Sequence, residues 1–339
     1  MSKVVYLMGA GASYGTRIRG AITSGIPIVS EIPSELSVWA KEILLYNWGD
    51  HASYKPKDDT FEVDLNMAQK KLSDDLKWLA IESKRHATID TFAKKLFLTK
   101  DTHNYNRLKN ALSSFFMIEQ IVHKADMRYD AFLANILTDN CKIPDDITII
   151  TWNYDNQFEI ALKTYLPGLT NMQYSPICLS WYDSSDLNVR YKIFKINGSA
   201  TFSDDKPVSR FCKADEQNMS NADLRKDILW YFGNGNLMSD LCFAWDNNVT
   251  GYFYNTVAKE VEDAITLVVV GYTFPYFNRV TDRKIFSMMK SLRNIIIQDP
   301  NAESIVQNVQ SVFPDYNAMK GISIQPEKHV ESFIIPREL

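Results

Sequence analysis

The sequence predicts an α/β fold, a Rossmann-like and mostly parallel sheet of about six strands with a large helical insertion. Three observations favour this fold. Short apolar runs rich in β-branched residues each end in a turn signal, and segments with helical spacing follow two of them. One interval between two runs is far longer than a crossover connection needs. The 339 residues suit one large domain, and we expect a single domain over 1–339.

Five runs predict the parallel strands: KVVYLM before GAGAS, ITIITW before NYD, YKIFKI before NGS, ITLVVV before GYTF, and NIIIQ before DPN. Near-continuous apolar runs are typical of strands that are covered on both faces, as in a parallel sheet. GISIQ near residue 323 is a candidate for a sixth strand at the edge. Helical spacing follows the second and fifth runs, in NQFEIALKTYL and NAESIVQNVQSVF.

The interval between GAGAS and ITIITW consists mostly of amphipathic helical segments. We therefore predict a helical insertion over roughly 33–143, with its aromatic and methionine residues forming a core between the helices. The stretch 200–264 is rich in Asn, Asp and aromatic residues and has weak periodicity. The sequence does not predict the structure of this stretch.

Composition excludes several classes of protein. The formal net charge of −4 leaves no electrostatic footprint for nucleic acid. The apolar stretches are the length of strands, which indicates neither a signal peptide nor a membrane span. The four cysteines form no CxxC pair, which argues against a zinc ribbon and favours a reducing compartment. We expect a cytoplasmic protein with no metal, no membrane contact and no direct nucleic-acid binding.

The segment LMGAGASYG follows the first strand directly and predicts a phosphate-binding turn. Gly9 and Gly11 let the backbone approach an anion, and amides at the start of the next helix can donate to phosphate. The dinucleotide fingerprint GxGxxG would require glycine at Tyr14, and the acidic residue that dehydrogenases offer to the ribose is missing. From this motif alone, a turn without a ligand and an ordinary dehydrogenase both stay open.

Four short motifs, taken together and in order, resemble the sirtuin pattern: GAGAS, GIP at 25–27, TWNYD at 151–155, and NGS at 197–199 where sirtuins have HGS. VVVGYTF and QDP are similar to the later turns that meet the adenosine side of NAD. The tyrosine of NYD and the helical insertion most resemble the bacterial SIR2-like group, whose members are typically NAD-degrading effectors of anti-phage defence. The resemblance covers the sheet and not the insertion.

This resemblance implies that the chain binds NAD⁺ as its substrate and hydrolyses it to nicotinamide and ADP-ribose. The implied cofactor-binding residues are Gly9, Ala10, Gly11, Ala12, Ser13, Pro27, Thr151, Gly198, Ser199, Gly271, Tyr272 and Thr273. Asn153 corresponds to the asparagine that contacts the nicotinamide ribose and helps to hold the nucleophilic water. Asp155 either bonds the ribose and orients the loop or caps the next helix. The sirtuins that deacylate proteins carry a zinc module with paired cysteines, which this chain lacks.

Asn197 stands where the resemblance places the catalytic histidine. An amide can hold a water or a hydroxyl by hydrogen bonds, but it cannot take up a proton at neutral pH. Three accounts stay open: a natural substitution that leaves a slow NADase, a subunit that binds NAD or an ADP-ribose-like nucleotide without cleaving it and regulates a complex, and an engineered inactivation made to trap a ligand or an assembly. His86 is a candidate replacement for the base, and Asp90 a candidate for orienting the water.

An uncontrolled NADase would kill its host, and the sequence contains no recognisable sensor module. We therefore expect activity to be gated by homo-oligomeric assembly, by an activating partner protein, or by both. The amphipathic helices of the insertion offer a surface for such contacts. A nicotinamide-dependent oxidoreductase is a weaker alternative, because the motifs include neither a hydride-acceptor site nor a proton donor.

Overall fold

A computed structural model describes residues 3–57, 59–165, 178–179, 193–203, 221–246, 251–313 and 319–339. The strands are β1 (Lys3–Met8), β2 (Arg17–Ile18), β3 (Ala21–Ile22), β4 (Ser53–Tyr54), β5 (Val63–Asp64), β6 (Ile147–Thr151), β7 (Cys178–Leu179), β8 (Ile193–Lys195), β9 (Gly198–Ser203), β10 (Met238–Leu241), β11 (Ala264–Val270), β12 (Asn294–Gln298) and β13 (Ser323–Glu327). The α-helices are α1 (Ile32–Glu42), α2 (Leu65–Arg85), α3 (Ile89–Leu98), α4 (Thr102–Val122), α5 (Met127–Ile136), α6 (Gln157–Thr164), α7 (Asn221–Gly233), α8 (Gly251–Val261), α9 (Arg279–Met288) and α10 (Ala302–Gln310).

The central sheet has the order β13-β12-β11-β1-β6-β8-β7, and every neighbouring pair is parallel. The predicted α/β fold is therefore confirmed, including all five predicted strands and the edge strand β13. The chain moves outward from β1 to β6 and β8, then returns to β11 on the other side of β1. With the two-residue edge strand β7 left out, this is the strand order of a Rossmann fold, and its topological switch point lies between β1 and β11.

Burial on both faces explains why β1 reads as a continuous apolar run. Val5 and Leu7 pack into the core on one face of the sheet, and Val4, Tyr6 and Met8 pack into the core on the other. Successive residues of a strand point to opposite faces, so a strand without polar positions can lie only between two covered faces. The carboxyl end of β1 is thereby fixed in the middle of the molecule.

Helices α1 to α4 of the predicted insertion form a third core. The stretch that the sequence left open contributes to the same core: Phe202 from β9, Trp230 from α7, and Phe243 just after β10 pack with Leu79 and Phe115. Strands β9 and β10 pair in antiparallel fashion, outside the central sheet. The core of the insertion is therefore completed by residues from a separate, later part of the chain.

Helix α5 and the residues before it attach the insertion to the turn that follows β1. The amide of Gly15 donates to Asp126 Oδ2 at 3.0 Å, and the amide of Gly25 donates to the carbonyl of Lys124 at 2.8 Å. Arg128 donates from Nη2 to the carbonyl of Gly11 at 2.9 Å. The glycine-rich turn is thus held from both the sheet and the insertion.

Within the described ranges, no helix combines the length and the apolar character needed to cross a membrane. The same part of the chain contains no group of three or more His, Cys, Asp or Glu residues arranged to hold a metal ion. Cys141 and Cys242 are free thiols.

Candidate functional site

A cleft of about 740 Å³ lies at the carboxyl ends of β1, β6, β11 and β12. This volume is typical of small-molecule sites, and the place is where open α/β sheets bind their ligands. We call one part the glycine end: Gly9, Ala10, Gly11, Gly271, Thr273 and the segment 298–301. We call the other part the insertion end: Thr88, Asp90, Phe116, Tyr154, Phe243, Trp245 and Phe277. Asn153 and Asn197 also line the cleft.

At the glycine end, two backbones touch across the switch point. A Cβ atom added to Gly11 would lie 2.7 Å from Gly271 Cα, and one added to Gly271 would lie 2.4 Å from Gly11 Cα. Gly271 also has a φ of +59°, a conformation that residues with a side chain rarely adopt. Both positions therefore require glycine, and the cleft floor here is main chain.

The turn after β1 offers a ligand fewer amides than the sequence predicts. A four-residue 3-10 helix, Ala10–Ser13, stands where the helix start was expected. Three of the amides already donate within the protein: Gly9 to Val270 O at 2.9 Å, Gly11 to Gly271 O at 3.0 Å, and Ala12 to Gly9 O at 2.9 Å. The amide of Ala10 donates to no described residue, and Ala10 lines the cleft. It is the open donor of this turn.

Asn153 is buried at the end of β6 and is oriented from behind the cleft wall. Its Nδ2 donates to Ser13 Oγ at 3.1 Å, and its amide donates to Thr151 Oγ1 at 3.0 Å. Ser13 is fully buried, and its hydroxyl also bonds the Tyr129 hydroxyl at 2.8 Å. Ser13 and Thr151 therefore position Asn153 and do not themselves face the cleft.

Asp155 lines the cleft but is engaged in local structure. Its Oδ1 accepts from the Ser13 hydroxyl at 3.1 Å and from the amide of Gln157, the first residue of α6, at 2.9 Å. Burial raises the pKa of Asp155, and the nearby Lys195 ammonium opposes that shift. Of the two roles left open by the sequence, these contacts favour orienting the loop and the start of α6.

Asn197 presents a buried acceptor to the cleft. It is 6% exposed, its Nδ2 donates to the carbonyl of Trp152 at 2.9 Å, and its Oδ1 accepts from no described residue. An unsatisfied buried acceptor costs about 1–3 kcal/mol, so the amide is oriented for a donor that a ligand would bring. Its neighbour Ser199 points elsewhere and donates to Asn156 Oδ1 at 2.6 Å.

The cleft brings most of the predicted site residues together: Gly9, Ala10, Gly11, Pro27, Asn153, Asp155, Asn197, Gly271, Tyr272 and Thr273. The other predicted residues do not line it: Ala12, Ser13, Thr151, Gly198 and Ser199. None of the five histidines lines the cleft either. His86 stacks on Phe92 at 4.8 Å, and its Nδ1 lies 2.9 Å from the carbonyl of Glu82. The structure therefore does not bring His86 to the site.

The insertion end has aromatic walls that the sequence analysis missed. Phe243 and Trp245 stack with ring centroids 5.0 Å apart, and Trp245 meets the edge of Phe277 at 5.8 Å. Tyr154 meets the edge of Phe243 at 6.0 Å. Phe243 and Trp245 lie in the stretch without periodicity, so the density of aromatic residues was the one available signal. Flat faces of this kind suit a planar ring.

Asp90 is the acidic side chain of the insertion end. The Tyr154 hydroxyl donates to its Oδ1 at 3.2 Å. Burial raises the pKa of Asp90, and the hydrogen bond from Tyr154 lowers it by a smaller amount. The carboxyl group lies at the second residue of α3, whose cap is Thr88 Oγ1 accepting from the amide of Thr91 at 3.1 Å.

The buried carboxyl group of Asp282 holds two aromatic residues in place between the two ends of the cleft. Trp152, just after β6, stacks on Tyr272, just after β11, with centroids 5.8 Å apart. Asp282 accepts from Trp152 Nε1 at 3.1 Å and from the Tyr272 hydroxyl at 2.9 Å. Burial raises the pKa of Asp282 to about 7.

Charge is distributed unevenly along the cleft. Arg128 is the cation among its described lining residues, and it lies beside the glycine turn. The acidic residues Asp90, Asp155 and Asp299 also line the cleft. The glycine end therefore combines Arg128, whose guanidinium is paired with Asp126, with the carboxyl group of Asp299, while the insertion end is aromatic and carries Asp90.

Comparison of the sequence with protein-family models finds no match, and comparison with curated proteins finds none either. The likeness to sirtuins consequently rests on the four motifs and their order. The structure adds that the residues of those motifs lie around one cleft or directly behind it.

Proposed function

We propose that this chain binds NAD⁺ in the cleft and hydrolyses it to nicotinamide and ADP-ribose. The observation that carries the proposal is the assembly, in one cleft at the switch point, of the glycine turn with Asn153 and Asn197. A glycine turn alone supports any nucleotide. Two amide side chains at the ends of the next two strands add groups that can hold ribose hydroxyls and a water.

In this proposal the glycine end receives the adenosine and the diphosphate. The open amide of Ala10 supplies a donor there, and Arg128, which is paired with Asp126, holds the turn by donating to the carbonyl of Gly11. Asn153 and Asn197 face the nicotinamide ribose. The aromatic insertion end receives the nicotinamide ring, whose positive charge in NAD⁺ favours contact with the faces of Trp245 and Phe243.

Cleavage of the glycosidic bond proceeds through an oxocarbenium-like sugar, so the site must stabilise positive charge and position a water. Asn197 Oδ1 accepts a hydrogen bond from a ribose hydroxyl or from that water, because its Nδ2 is already committed to Trp152. The Asn153 side chain is held by Ser13 and is thereby pre-oriented.

The test is nicotinamide release from NAD⁺ at high protein concentration, beside calorimetric NAD⁺ binding. We expect release by the unmodified chain and a loss of about 100-fold or more in Asn153→Ala. Asn197→His should raise the rate, because a histidine can accept a proton. Asp74→Asn, an exposed position on the insertion, is the matched control. Absence of NAD⁺ binding would refute the assignment.

A second function is favoured by one specific observation, the lack of a histidine among the described residues that line the cleft. In that case the chain binds NAD⁺ or an ADP-ribose-like nucleotide and regulates a complex without cleaving its ligand. It predicts tight binding that Gly11→Asp abolishes, with no nicotinamide release by the unmodified chain or by Asn197→His.

The biological setting is proposed from the sirtuin resemblance alone: a cytoplasmic effector of anti-phage defence that depletes NAD⁺ when assembly or a partner protein releases its activity. Bacteria that express the chain should keep their NAD⁺ until infection and then lose it. Loss of NAD⁺ in uninfected cells at ordinary expression would contradict the gating.

A further inference from the structure

Resting on the proposed hydrolysis, we infer that Asp90, contributed by the insertion, is the catalytic residue that accepts the proton of the attacking water. The need for such a group follows from Asn197, whose amide cannot take up a proton at neutral pH. The resemblance to sirtuins does not reach the insertion, so no motif assigns this role.

The ionisable side chains that line the cleft in the described part of the chain are few: Asp90, Asp155, Asp299, Arg128 and three tyrosines. Burial raises the pKa of Tyr154 and of Tyr272 well above their ordinary value, so both stay protonated. The third, Tyr14, donates its hydroxyl to Glu31 Oε1 at 3.3 Å. Arg128 is permanently a cation. A proton acceptor must therefore be sought among the three aspartates.

Asp155 is committed to the protein. One of its oxygens accepts from Ser13 and from the amide of Gln157, which begins α6. Protonating this carboxyl group would weaken the contacts that hold the loop behind Asn153. A group that must gain and lose a proton in each turnover is poorly placed in such a structural role.

Asp299 lies at the wrong place in the sheet. It follows β12, which is separated from β6 by β11 and β1. Three strand spacings amount to about 14 Å between the two strand ends. Its Oδ1 also accepts from the amide of Asn301, at the start of α10. Asp299 therefore belongs to the glycine end and not to the region of Asn153 and Asn197.

Asp90 lies in α3 of the insertion and contacts the segment that carries Asn153. Its Oδ1 accepts from Tyr154, the residue that follows Asn153, and Trp152 on the other side of Asn153 bonds Asn197. The three consecutive residues 152–154 thus connect Asp90, Asn153 and Asn197 around one turn of chain. Oδ2 of Asp90 accepts from no described residue, and the side chain is partly open to the cleft. That oxygen is available to a water.

The proposed step balances without any further reactant. The bond between C1′ of the ribose and the nicotinamide nitrogen breaks, and its electron pair leaves on neutral nicotinamide. The water oxygen bonds C1′, and the water proton passes to Oδ2 of Asp90 and then to solvent. The carboxylate also stabilises the positive charge that develops on the sugar before water attacks.

The surroundings of Asp90 shift the pKa of its carboxyl group upward from the ordinary value. Burial raises its pKa and Tyr154 lowers it. The other charged or titratable groups around the insertion end are Tyr272, Lys94 on the same helix, Asp246, which interacts with Lys94, and Tyr105 and Lys109, which both bond Asp246. Proton acceptors are most effective when their pKa lies near the working pH.

The test is the pH dependence of nicotinamide release by the full chain, with NAD⁺ affinity measured beside it. Asp90→Asn should lower the rate by about 100- to 10,000-fold with NAD⁺ affinity nearly unchanged. Tyr154→Phe keeps the ring and removes the hydrogen bond that lowers the pKa of Asp90. The rising limb of the rate profile should therefore move to higher pH. Asp74→Asn should leave both the rate and the profile unchanged.

A purely structural Asp90 would change stability or affinity but would not move the pH limb in Tyr154→Phe. An active chain in which Asp90→Asn retains its rate would overturn the inference and leave the hydrolysis standing. If the unmodified chain binds NAD⁺, releases no nicotinamide at any protein concentration and leaves cellular NAD⁺ intact after infection, the hydrolysis fails and Asp90 has no such role.

Discussion

The two ends of the cleft are built from different materials. The glycine end is main chain: Gly11 lies against Gly271, with no room for one more carbon atom. The insertion end is side chains: Asp90, Tyr154 and Trp245 come from three distant parts of the sequence. A substitution at a main-chain contact either preserves the contact or breaks it. A wall of side chains can be altered one side chain at a time. A single substitution at the glycine end should therefore abolish ligand binding, whereas single substitutions at the insertion end should weaken it in small steps.

The largest effect is expected from Gly271→Ala. The added Cβ would lie 2.4 Å from Gly11 Cα, and the residue would be held at a φ of +59°. Backbone strain and overpacking together should lower the free energy of unfolding by roughly 2–6 kcal/mol. The two backbones must also separate, so binding of both NAD⁺ and ADP-ribose should be abolished. Urea unfolding and calorimetry measure the two results.

Gly235→Ala is the matched control for that variant. A Cβ at Gly235 would meet nothing within 4 Å, so stability and binding should both stay at their original values. If Gly271→Ala bound either ligand as tightly as the unmodified chain, the main-chain contact would not form the floor of the site.

The glycine end could be predicted from sequence because its signals are local. A buried strand, two glycines and a sharp turn stand next to one another at Gly9 and Gly11, and another buried strand ends directly at Gly271. The hydrogen bonding of the turn could not be predicted. The amides of Gly9 and Gly11 are taken by β11 and its turn, a strand more than 250 residues away in the sequence.

The insertion end escaped prediction because tertiary packing brings it together. Asp90 and Tyr154 touch only because α3 folds back over the end of β6. Trp245 follows β10, in a stretch whose polar and aromatic residues show no period that would predict an element. The unpartnered Oδ1 of Asn197 is likewise invisible in the motif NGS, since it depends on the contact of Nδ2 with Trp152.

The next largest effect concerns the wall between the two ends, where Asp282 bonds Trp152 and Tyr272. Its pKa is raised from 3.8 to about 7, so the folded chain binds this proton more tightly than the unfolded chain does. Protonated Asp282 therefore contributes its full share of the free energy of unfolding below pH 4, and this contribution is lost as the pH rises to about 7. The shift corresponds to about 4 kcal/mol at most.

Asp282→Asn should remove this dependence. Between pH 4 and pH 8, the free energy of unfolding of the variant should increase relative to that of the unmodified chain. Urea unfolding at both pH values measures it, with Asp74→Asn as an exposed control. A difference that does not change with pH would show that Asp282 is already ionised at pH 4 in the folded chain.

A smaller effect is expected from Ser13→Ala, behind the junction of the two ends. Its hydroxyl bonds Asn153 Nδ2, the Tyr129 hydroxyl and Asp155 Oδ1, all in a buried place. Unsatisfied partners should lower the free energy of unfolding by about 1–3 kcal/mol. Nicotinamide release should fall while NAD⁺ affinity changes little, because Asn153 loses its orientation. Ser34→Ala, on the exposed face of α1, should change neither quantity.

The smallest effect is expected from Trp245→Leu, and it distinguishes the two ends of the cleft by comparing the affinities of two ligands. NAD⁺ and ADP-ribose share every group except nicotinamide, so an end that holds only nicotinamide is sensed by one ligand alone. Trp245→Leu removes a ring that stacks on Phe243 at 5.0 Å and meets Phe277 at 5.8 Å. Loss of one aromatic contact is worth about 1 kcal/mol, which is about fivefold in affinity. We expect calorimetry to show that fall for NAD⁺ and no change for ADP-ribose. An equal fall for both ligands would place the shared part of the dinucleotide against Trp245 and reverse the assignment of the two ends.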